Sequence, residues 1–407
     1  MLPFESYTPT RLIMAPQAEL QAADQIKKHG GSRVLLHYGS GSAVRSGLID
    51  RIRQSLENEN IFFIELGGVV PNPRAELVYR GIELCRQEQI DFVLAAGGGS
   101  VLDSAKAIAI GSCYEGDFWD MYGRGATPTG RLGLGTIITL PATGSEASNS
   151  SVIKNDQLDI KRGLRSDLNR PDFSLINPEL TYTLSPWQIA CGSSDIISHI
   201  LERYFSPTTG VGLTDRLCEA AVKTVIDETP SALNNPSQYD VQANLFWSST
   251  VAHIGWLGMG RQEDWSVHAL EHELSGHYDT AHGAGLAALY PAWLSFILER
   301  EINGGKKSAK DSAIIARISQ FAERVLGIQL DFADSLSTAR QGIRSLSAIY
   351  RSWGLPVNLS DMGIPYEDLP KLAKLAKKRP DGFAGAFSPL NEADFLQIYQ
   401  IAWSWQY

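Results

Sequence analysis

The sequence predicts an α/β amino-terminal domain with a parallel sheet, followed by an all-helical carboxy-terminal domain. In the first part, short apolar runs alternate with amphipathic helical patterns, which is typical of parallel βαβ units whose sheet is covered on both faces. From Ser185-Pro186 onward the periodicity is mostly helical, and this pair is a helix start, with a capping hydroxyl before a proline. We therefore expect two domains, 1–183 and 184–407.

The elements of the first domain follow from this alternation. Four apolar runs predict buried strands, at 34–38, 61–66, 92–96 and 135–140. Helical patterns over 75–89 and 100–110 lie between them. In the second domain, breaks are expected near 234–236, 304–305 and 354–356, where Asn, Gly and Pro cluster.

Composition excludes several classes of protein. The net charge of −9, from 36 basic and 45 acidic residues, argues against a nucleic-acid surface. No run approaches the roughly 20 apolar residues that a membrane span needs, and no secretory signal is expected. The four cysteines form no Cys-x-x-Cys pair and fit a reducing compartment. We expect a cytoplasmic enzyme that binds neither nucleic acid nor membrane.

Two glycine-rich turns each follow a predicted strand and open a helix. The first is Gly39-Ser40-Gly41-Ser42, and the second is Gly97-Gly98-Gly99-Ser100, with Asp103 three residues on. Glycines let the backbone approach a pyrophosphate, and a helix N-terminus offers free N–H groups. A third loop, 139–146, follows a strand and brings hydroxyl groups. The alternative is that these are merely tight strand-to-helix turns, since neither matches Gly-x-Gly-x-x-Gly spacing.

Acidic and histidine residues at helical spacing form a candidate metal site. Asp195 and His199 are four residues apart, so they share a helix face, and the same holds for His268 and His272. His282 follows in a polar, Gly-containing stretch. One carboxylate and several imidazoles make a plausible site for zinc or ferrous iron.

The same histidines allow a rival interpretation. The stretch from His268 to His272 matches His-x-x-Glu-His, the inverted zincin pattern, in which Glu271 would be the general base of a metallopeptidase. That hypothesis leaves the phosphate loops and the Asp195–His199 pair unexplained.

Several stretches together resemble the iron-containing (group III) alcohol dehydrogenases, and look closest to the branch of NADPH-dependent aldehyde reductases and butanol dehydrogenases. The matching stretches are 67–74, 97–106, 139–146, 192–195 with His199, 268–283, 353–356 and 360–364. The resemblance covers almost the whole chain. It implies an N-terminal dinucleotide domain, a C-terminal helical domain, an active site in the cleft between them, and a homodimer.

The resemblance also implies roles for individual residues. The metal ligands of the family fall on Asp195, His199, His268 and His282, and a further active-site histidine falls on His272. The coenzyme positions fall on Gly39, Ser40, Gly41, Ser42, Asn72, Gly98, Gly99, Ser100, Asp103, Thr139, Thr143, Ser145 and Lys161. The metal would be a single Fe²⁺ or Zn²⁺ ion.

The first glycine-rich loop bears on the choice of coenzyme. NAD-using relatives tend to carry Asp at the position of Gly39, where it would repel a 2′-phosphate. Its absence here, with Ser40, Ser42 and nearby Arg45, favours NADP(H) over NAD(H). The branch usually has Gly-Gly-Gly-Ser in this loop, which Ser40 interrupts. Glu271 lies where the branch varies between a small residue and Glu.

The function implied is reversible hydride transfer between NADP(H) and an aldehyde or primary alcohol. The metal would act as Lewis acid on the substrate oxygen, and His272 would lie on the proton path. Alternatives are a sugar-phosphate cyclase of the dehydroquinate-synthase kind, which would need more Lys and Arg around its site, the zinc peptidase, and a non-catalytic binding protein.

Overall fold

The chain forms two compact units in a computed structural model that describes residues 1–331 and 333–405. The first, which we call the α/β unit, comprises Tyr7–Leu184 and Asn235–Ile254. The second, the helical unit, comprises Met1–Ser6, Ser185–Asn234 and the described residues from Gly255 onward.

Strands of the α/β unit form one parallel sheet and one short hairpin. The strands are β1 (Arg11–Met14), β2 (Arg33–Gly39), β3 (Phe62–Val69), β4 (Phe92–Gly97), β5 (Gly133–Ile138), β6 (Ser150–Asn155), β7 (Ile160–Arg165) and β8 (Phe173–Ile176). The sheet has the order β1-β8-β5-β4-β2-β3, and every pairing in it is parallel. Strands β6 and β7 pair antiparallel.

Helices connect the strands of the first unit and make up most of the second. Those of the α/β unit are α1 (Ala22–Lys28), α2 (Ser42–Arg45), α3 (Leu48–Asn58), α4 (Ala75–Gln87), α5 (Gly99–Ser112), α6 (Trp119–Gly123) and α9 (Tyr239–Ile254). Those of the helical unit are α7 (Pro186–Tyr204), α8 (Gly212–Asn234), α10 (Ser266–Tyr278), α11 (His282–Asn303), α12 (Ala313–Arg324), α13 (Ser335–Ser352), α14 (Leu369–Leu375) and α15 (Glu392–Trp403). Among the residues described, no helix is both long and apolar enough to span a membrane.

The sheet is buried on both faces, as its near-continuous apolar strands require. Alternate residues of one strand enter different cores: Leu35 and Val93 belong to one, while Val34, Leu36 and Leu94 belong to the other. This is the side-chain alternation of a strand between two layers of helices. The predicted fold class is therefore confirmed, and the four predicted strands correspond to β2, β3, β4 and β5.

The topology places the predicted loops at one edge of the sheet. The chain leaves β2 toward β3 on one side and leaves β4 toward β5 on the other, so the direction of winding changes between β2 and β4. In open α/β sheets, ligands bind at such a switch point, beyond the carboxyl ends of the strands. The loops 39–42 and 97–100 follow these two strands.

Helix α9 packs in the α/β unit, although the sequence predicts it to be part of the second domain, 184–407. Its Ser249 hydroxyl accepts hydrogen bonds from the N–H groups of Ala142 (3.1 Å) and Gly144 (3.2 Å). Thr250 donates to Glu146 (2.6 Å). The loop after β5 thus takes its support from a helix far along the chain, a contact that local periodicity does not reveal.

A substitution at Gly144 tests whether α9 supports the loop after β5. Its φ is +62°, and a methyl group there would lie 2.5 Å from the Ser249 carbonyl oxygen and 2.7 Å from His253 Cβ. Gly125 also has positive φ, +75°, but nothing lies within 4 Å of such a methyl group. We expect Gly144→Ala to lower the free energy of unfolding by about 1–3 kcal/mol more than Gly125→Ala, measured by urea unfolding. Equal losses would contradict the close packing of α9 on this loop.

Candidate functional site

One face of helix α7 carries two candidate metal ligands and a carboxylate that holds a third. A capping box of Ser185 and Gln188 fixes the start of the helix. Asp195, His199 and Glu202 follow at spacings of four and three residues, so their side chains share a face. All three are buried, with 3%, 6% and 0% of their surfaces exposed.

Glu202 organises the start of helix α10. One of its oxygens accepts from the backbone N–H of His268 (2.9 Å) and lies 2.8 Å from His268 Nδ1. The other accepts from the backbone N–H of Trp265 (2.7 Å). A carboxylate satisfies the free N–H groups at a helix N-terminus and favours its dipole. The same carboxylate leaves His268 Nε2 as the nitrogen available for other contacts.

Trp265 covers the two imidazoles. It precedes α10 with a φ of +68°, which is strained for a residue with a side chain. Its ring packs edge-on against His199 (5.7 Å between centroids) and His268 (5.0 Å), and Arg203 lies 4.8 Å from the ring. The histidines are thereby shielded from water.

His282 is the first residue of α11 and reaches α7 through a close helix approach. A methyl group on the next residue, Gly283, would overlap the carbonyl oxygen of Cys191 on α7. Only glycine permits this approach, which brings His282 Nε2 to 3.7 Å from Asp195 Oδ1.

The ligand atoms of Asp195, His268 and His282 all lie within 4.8 Å of one another. His199 Nε2 adjoins them, 3.2 Å from Asp195 Oδ1. Ligands about 2.0–2.1 Å from a tetrahedral ion lie roughly 3.4 Å apart, which is close to the 3.2 Å and 3.7 Å that separate Asp195 Oδ1 from His199 Nε2 and from His282 Nε2. The structure thus brings three of the four predicted ligands within 4.8 Å of one another and places His199 beside Asp195, outside that group. Within the described part of the chain, Asp195 Oδ1 and His268 Nε2 are buried without a hydrogen bond, as expected of atoms that face a metal.

The electrostatics favour the protonation states that bind metal. Burial acts to raise the pKa of Asp195, but the neighbouring His199 and His282 outweigh it and lower the pKa to about 2. Burial lowers the pKa of His199 to about 4, although Asp195 opposes it. At neutral pH the site therefore offers a carboxylate and a neutral imidazole, which are the ligand forms.

His272 and Glu271 lie beside this group on α10. The His272 ring is 5.7 Å from that of His282 and 6.4 Å from that of His268. His272 is partly exposed, whereas Glu271 is fully buried and contacts His282 Nδ1. His272 thus adjoins the candidate ligands and retains access to solvent.

The predicted coenzyme loops converge in the α/β unit. Gly98 caps helix α5, and Ser100 lies in its first turn. A methyl group on Gly99 would lie 2.6 Å from Thr143 Oγ1, and one on Gly39 would lie 3.7 Å from Val101. Asn72 follows β3 in a left-handed conformation, with φ of +53°. The loops after β2, β4 and β5 therefore meet, as a shared ligand would require. The remaining predicted positions lie on or beside these loops: Ser40, Gly41, Ser42 and Thr139.

Asp103 and Ser145 lie beneath these loops. Asp103 accepts from the Ser145 hydroxyl (2.7 Å) and from the N–H of Val152 (2.9 Å). Burial raises the pKa of Asp103, with Lys106 and Lys161 opposing. Both oxygens of Asp103 have protein donors, so in this structure it holds the loop after β5 in place. Lys161, on β7, is close enough to Asp103 for its positive charge to lower the pKa of that carboxyl.

Lys106 also holds the loop after β5 in place. Its ammonium group is fully buried and donates to the hydroxyls of Ser145 (2.8 Å) and Ser148 (3.1 Å) and to the Ser150 carbonyl (2.9 Å). Burial lowers its pKa to about 8, although Asp103 and Glu146 oppose this. A buried cation with these partners fixes the path of the chain after Thr143.

Neither Glu202 nor Lys106 was predicted from the sequence as a site residue. Glu202 is three residues after His199, and Lys106 is three residues after Asp103, so helical spacing alone marks both as neighbours. What spacing does not reveal is that each one bonds a separate element, α10 in one case and the loop after β5 in the other.

Comparison with known proteins identifies the class to which this fold and site belong. A model described as "Iron-containing alcohol dehydrogenase" matches residues 9–178. A model of the C-terminal part of the Fe-containing alcohol dehydrogenase family matches residues 189–403. The chain belongs to the iron-containing alcohol dehydrogenase family, and it is an oxidoreductase.

Individual relatives agree with this placement. The chain is 38% identical over 400 residues to NADH-dependent butanol dehydrogenase A of Clostridium acetobutylicum, covering 98% of this chain and 99% of the relative. It is 34% identical over 374 residues to the NADPH-dependent aldehyde reductase YqhD of Escherichia coli, covering 91% and 92%. Among solved structures, NADH-dependent butanol dehydrogenase A from Thermotoga maritima is similar with a TM-score of 0.92 at 32% identity, covering 99% of both chains.

The family excludes the zinc peptidase and the cyclase as the main interpretation. The geometry also argues against the peptidase. Glu271 contacts His282 and so does not have the position of a general base that faces a metal-bound water. The resemblance to iron-containing alcohol dehydrogenases is confirmed.

Asp195 gives a direct test of the metal site. We expect one divalent ion per chain, which at 100 times its Kd stabilises the folded protein by about 2.7 kcal/mol. Asp195→Asn removes the anionic ligand and is expected to weaken Zn²⁺ binding at least tenfold, as measured by thermal shift and metal analysis. Asp227→Asn, an exposed change on α8, is the matched control. Unchanged affinity in Asp195→Asn would rule this residue out as a ligand.

Proposed function

We propose that the protein catalyses reversible hydride transfer between a nicotinamide coenzyme and an aldehyde or primary alcohol, with a divalent metal held by Asp195, His199, His268 and His282. The observation that carries this proposal is the convergence of the buried carboxylate with the imidazoles at spacings that suit one ion. The names of the relatives, butanol dehydrogenase and aldehyde reductase, support the substrate class.

The division of work follows from the two units. The loops 39–42, 97–100 and 139–145 of the α/β unit bind the coenzyme, which supplies or accepts the hydride. A divalent ion, Fe²⁺ or Zn²⁺, supplies Lewis-acid polarisation of the substrate oxygen when bound. The donor set of one carboxylate and three imidazoles accommodates either ion.

The chain's own residues supply the remaining steps. Glu202 holds His268 so that Nε2 faces Asp195 and the other candidate ligands, and Trp265 keeps water from the imidazoles. His272 gives and takes the proton that accompanies hydride transfer, because it adjoins the ligands and retains access to solvent.

A reduction assay tests the reaction. We expect NADPH oxidation with butanal and longer aldehydes, loss of that activity on metal depletion, and recovery on adding Fe²⁺ or Zn²⁺. In the same assay, His272→Ala is expected to keep its metal while kcat falls roughly 100-fold. Metal-depleted protein that reduces butanal at the original rate would contradict the proposed metal role. A His272→Ala variant with normal kcat at every pH would remove His272 from the proton path.

We further propose that NADP(H) is preferred over NAD(H). The relatives divide on this point, since the butanol dehydrogenase is named for NADH and YqhD for NADPH. The support comes from this chain's own loop, where Gly39 leaves no carboxylate to repel a 2′-phosphate. The Arg45 guanidinium folds over Gly41, so that a methyl group there would overlap it, and its positive charge lies against the loop.

Two substitutions test the coenzyme preference. Arg45→Gln is expected to lower kcat/KM for NADPH about tenfold with little change for NADH, which is about 1.4 kcal/mol of lost interaction. Gly39→Asp fits sterically, since its Cβ would make only ordinary contacts of 3.6–3.7 Å, and is expected to shift preference toward NADH. Arg80→Gln, an exposed change on α4, is the control. A native enzyme that uses NADH as well as or better than NADPH would show the preference to be wrong.

A further inference from the structure

Glu271 is a fully buried carboxylate to which the proposed reaction gives no role. It lies on α10, three residues after His268, with 0% of its surface exposed. Removing a carboxylate from water costs several kcal/mol unless donors or cations compensate. A methyl-bearing or amide side chain of similar size would fill the same space without that cost. The charge therefore calls for an explanation other than packing.

The contacts of Glu271 point to His282. Its Oε2 is in contact with His282 Nδ1, and the Ser275 hydroxyl lies 3.2 Å from the same oxygen. That hydroxyl also lies 3.3 Å from the Glu271 carbonyl oxygen. A hydroxyl has one hydrogen to donate, so it is shared between the two acceptors. The imidazole is therefore the principal partner of the carboxylate.

Helix α11 is shaped to admit this carboxylate. A methyl group on Gly285 would lie 3.0 Å from both Cγ and Oε1 of Glu271. This is closer than side chains normally pack, so any larger residue at 285 would displace the glutamate. The same helix that begins with His282 thus leaves room, one turn later, for the carboxylate that contacts His282.

We propose that Glu271 is a positioning residue that holds His282 by Nδ1 and directs Nε2 at the metal. This inference rests on the proposed function, because it assumes that His282 is a ligand. His282 Nε2 faces Asp195 Oδ1 at 3.7 Å, on the far side of the ring from Glu271. A carboxylate behind a ligating imidazole fixes its tautomer and ring orientation and strengthens it as a ligand.

Glu271 and Glu202 then act in parallel. Glu202 holds Nδ1 of His268, and Glu271 holds Nδ1 of His282, so two of the three imidazoles present Nε2 because a buried carboxylate occupies the other nitrogen. The second candidate cluster, in which Glu271, His272 and His282 would bind an ion of their own, competes with this assignment. In that cluster Glu271 would be a ligand itself rather than the group that holds Nδ1 of His282.

Cobalt binding to the purified full chain tests the proposal. Co²⁺ reports ligand geometry through its visible absorption, which a change in packing alone would not alter. Glu271→Ala is expected to weaken Co²⁺ binding by roughly 10- to 100-fold, to speed its release to a chelator, and to change the spectrum. Glu271→Gln is expected to lose less, because its amide oxygen can still accept from Nδ1. Gly285→Ala, which keeps the glutamate but displaces it, is expected to resemble Glu271→Ala.

The matched control is Glu273→Ala, two residues along the same helix. Its carboxylate pairs with His277 at 3.5 Å, outside the proposed ligand set, so both affinity and spectrum should stay as in the native protein. Circular dichroism establishes that each variant is folded at the assay temperature. If Glu271→Ala does not fold, Glu271→Gln carries the test, with a changed spectrum expected.

The outcomes separate this inference from the proposed function. Native protein that binds no divalent ion overturns the metal site itself. One ion per native chain, with affinity and spectrum unchanged in all Glu271 and Gly285 variants, overturns only the role of Glu271. Two ions per native chain that fall to one in Glu271→Ala also overturn it, in favour of a direct ligand. The proposed role of Glu271 is supported if one ion binds to every variant and Co²⁺ affinity falls more in Glu271→Ala than in Glu271→Gln.

Discussion

The helical unit holds negative charge where water does not reach it, and the rest of its site is arranged around that constraint. Asp195, Glu202 and Glu271 are all buried, and each buried carboxylate costs several kcal/mol unless donors or cations compensate. Glu202 has the N–H groups of α10 and His268, and Glu271 has His282 and Ser275. Asp195 has imidazoles around it, but its Oδ1 has no hydrogen bond, and Oε1 of Glu271 also lacks one. A cation held by Asp195 Oδ1 and the imidazoles would offset part of this cost, so an arrangement that is unfavourable for folding suits a metal.

The α/β unit contains the opposite case, a buried positive charge that must also be compensated. Lys106 is a buried cation, and its three donors are met by hydroxyl and carbonyl oxygens of the chain after Thr143. Because those bonds must be made, the loop after β5 has little freedom, and α9 supports it from its other side. The path of the loop after β5 thus depends on the buried charge of Lys106 and on α9 as well as on its own residues.

Sequence periodicity predicted the elements whose pattern is long and regular. It located β2 to β5, the start of α7 and the helical character that follows. Strands β1 and β8 are four residues each, too short for alternation to be distinctive, and β7 (Ile-Lys-Arg-Gly-Leu-Arg) is interrupted by charges on the hairpin. The strand order depends on which apolar faces pack together, so no local signal contains it. Likewise, spacing marked Asp195, His199 and His268 as candidates, but Glu202, Lys106 and the packing of α9 follow from contacts between distant segments.

The His-x-x-Glu-His pattern shows where a local motif ceases to specify chemistry. Helical spacing fixes only that His268, Glu271 and His272 lie near one another on α10. Which group Glu271 meets is decided on α11, by Gly283 and Gly285. Successive helix residues are about 100° apart, so these two glycines face nearly opposite sides of α11. One allows contact with Cys191 on α7, and the other makes room for Glu271 on α10. The start of α11 is thereby inserted between the two helices, and His282 meets Asp195 with one nitrogen and Glu271 with the other. In a chain without that glycine pair, the same five residues would face a different neighbour and could serve a different reaction.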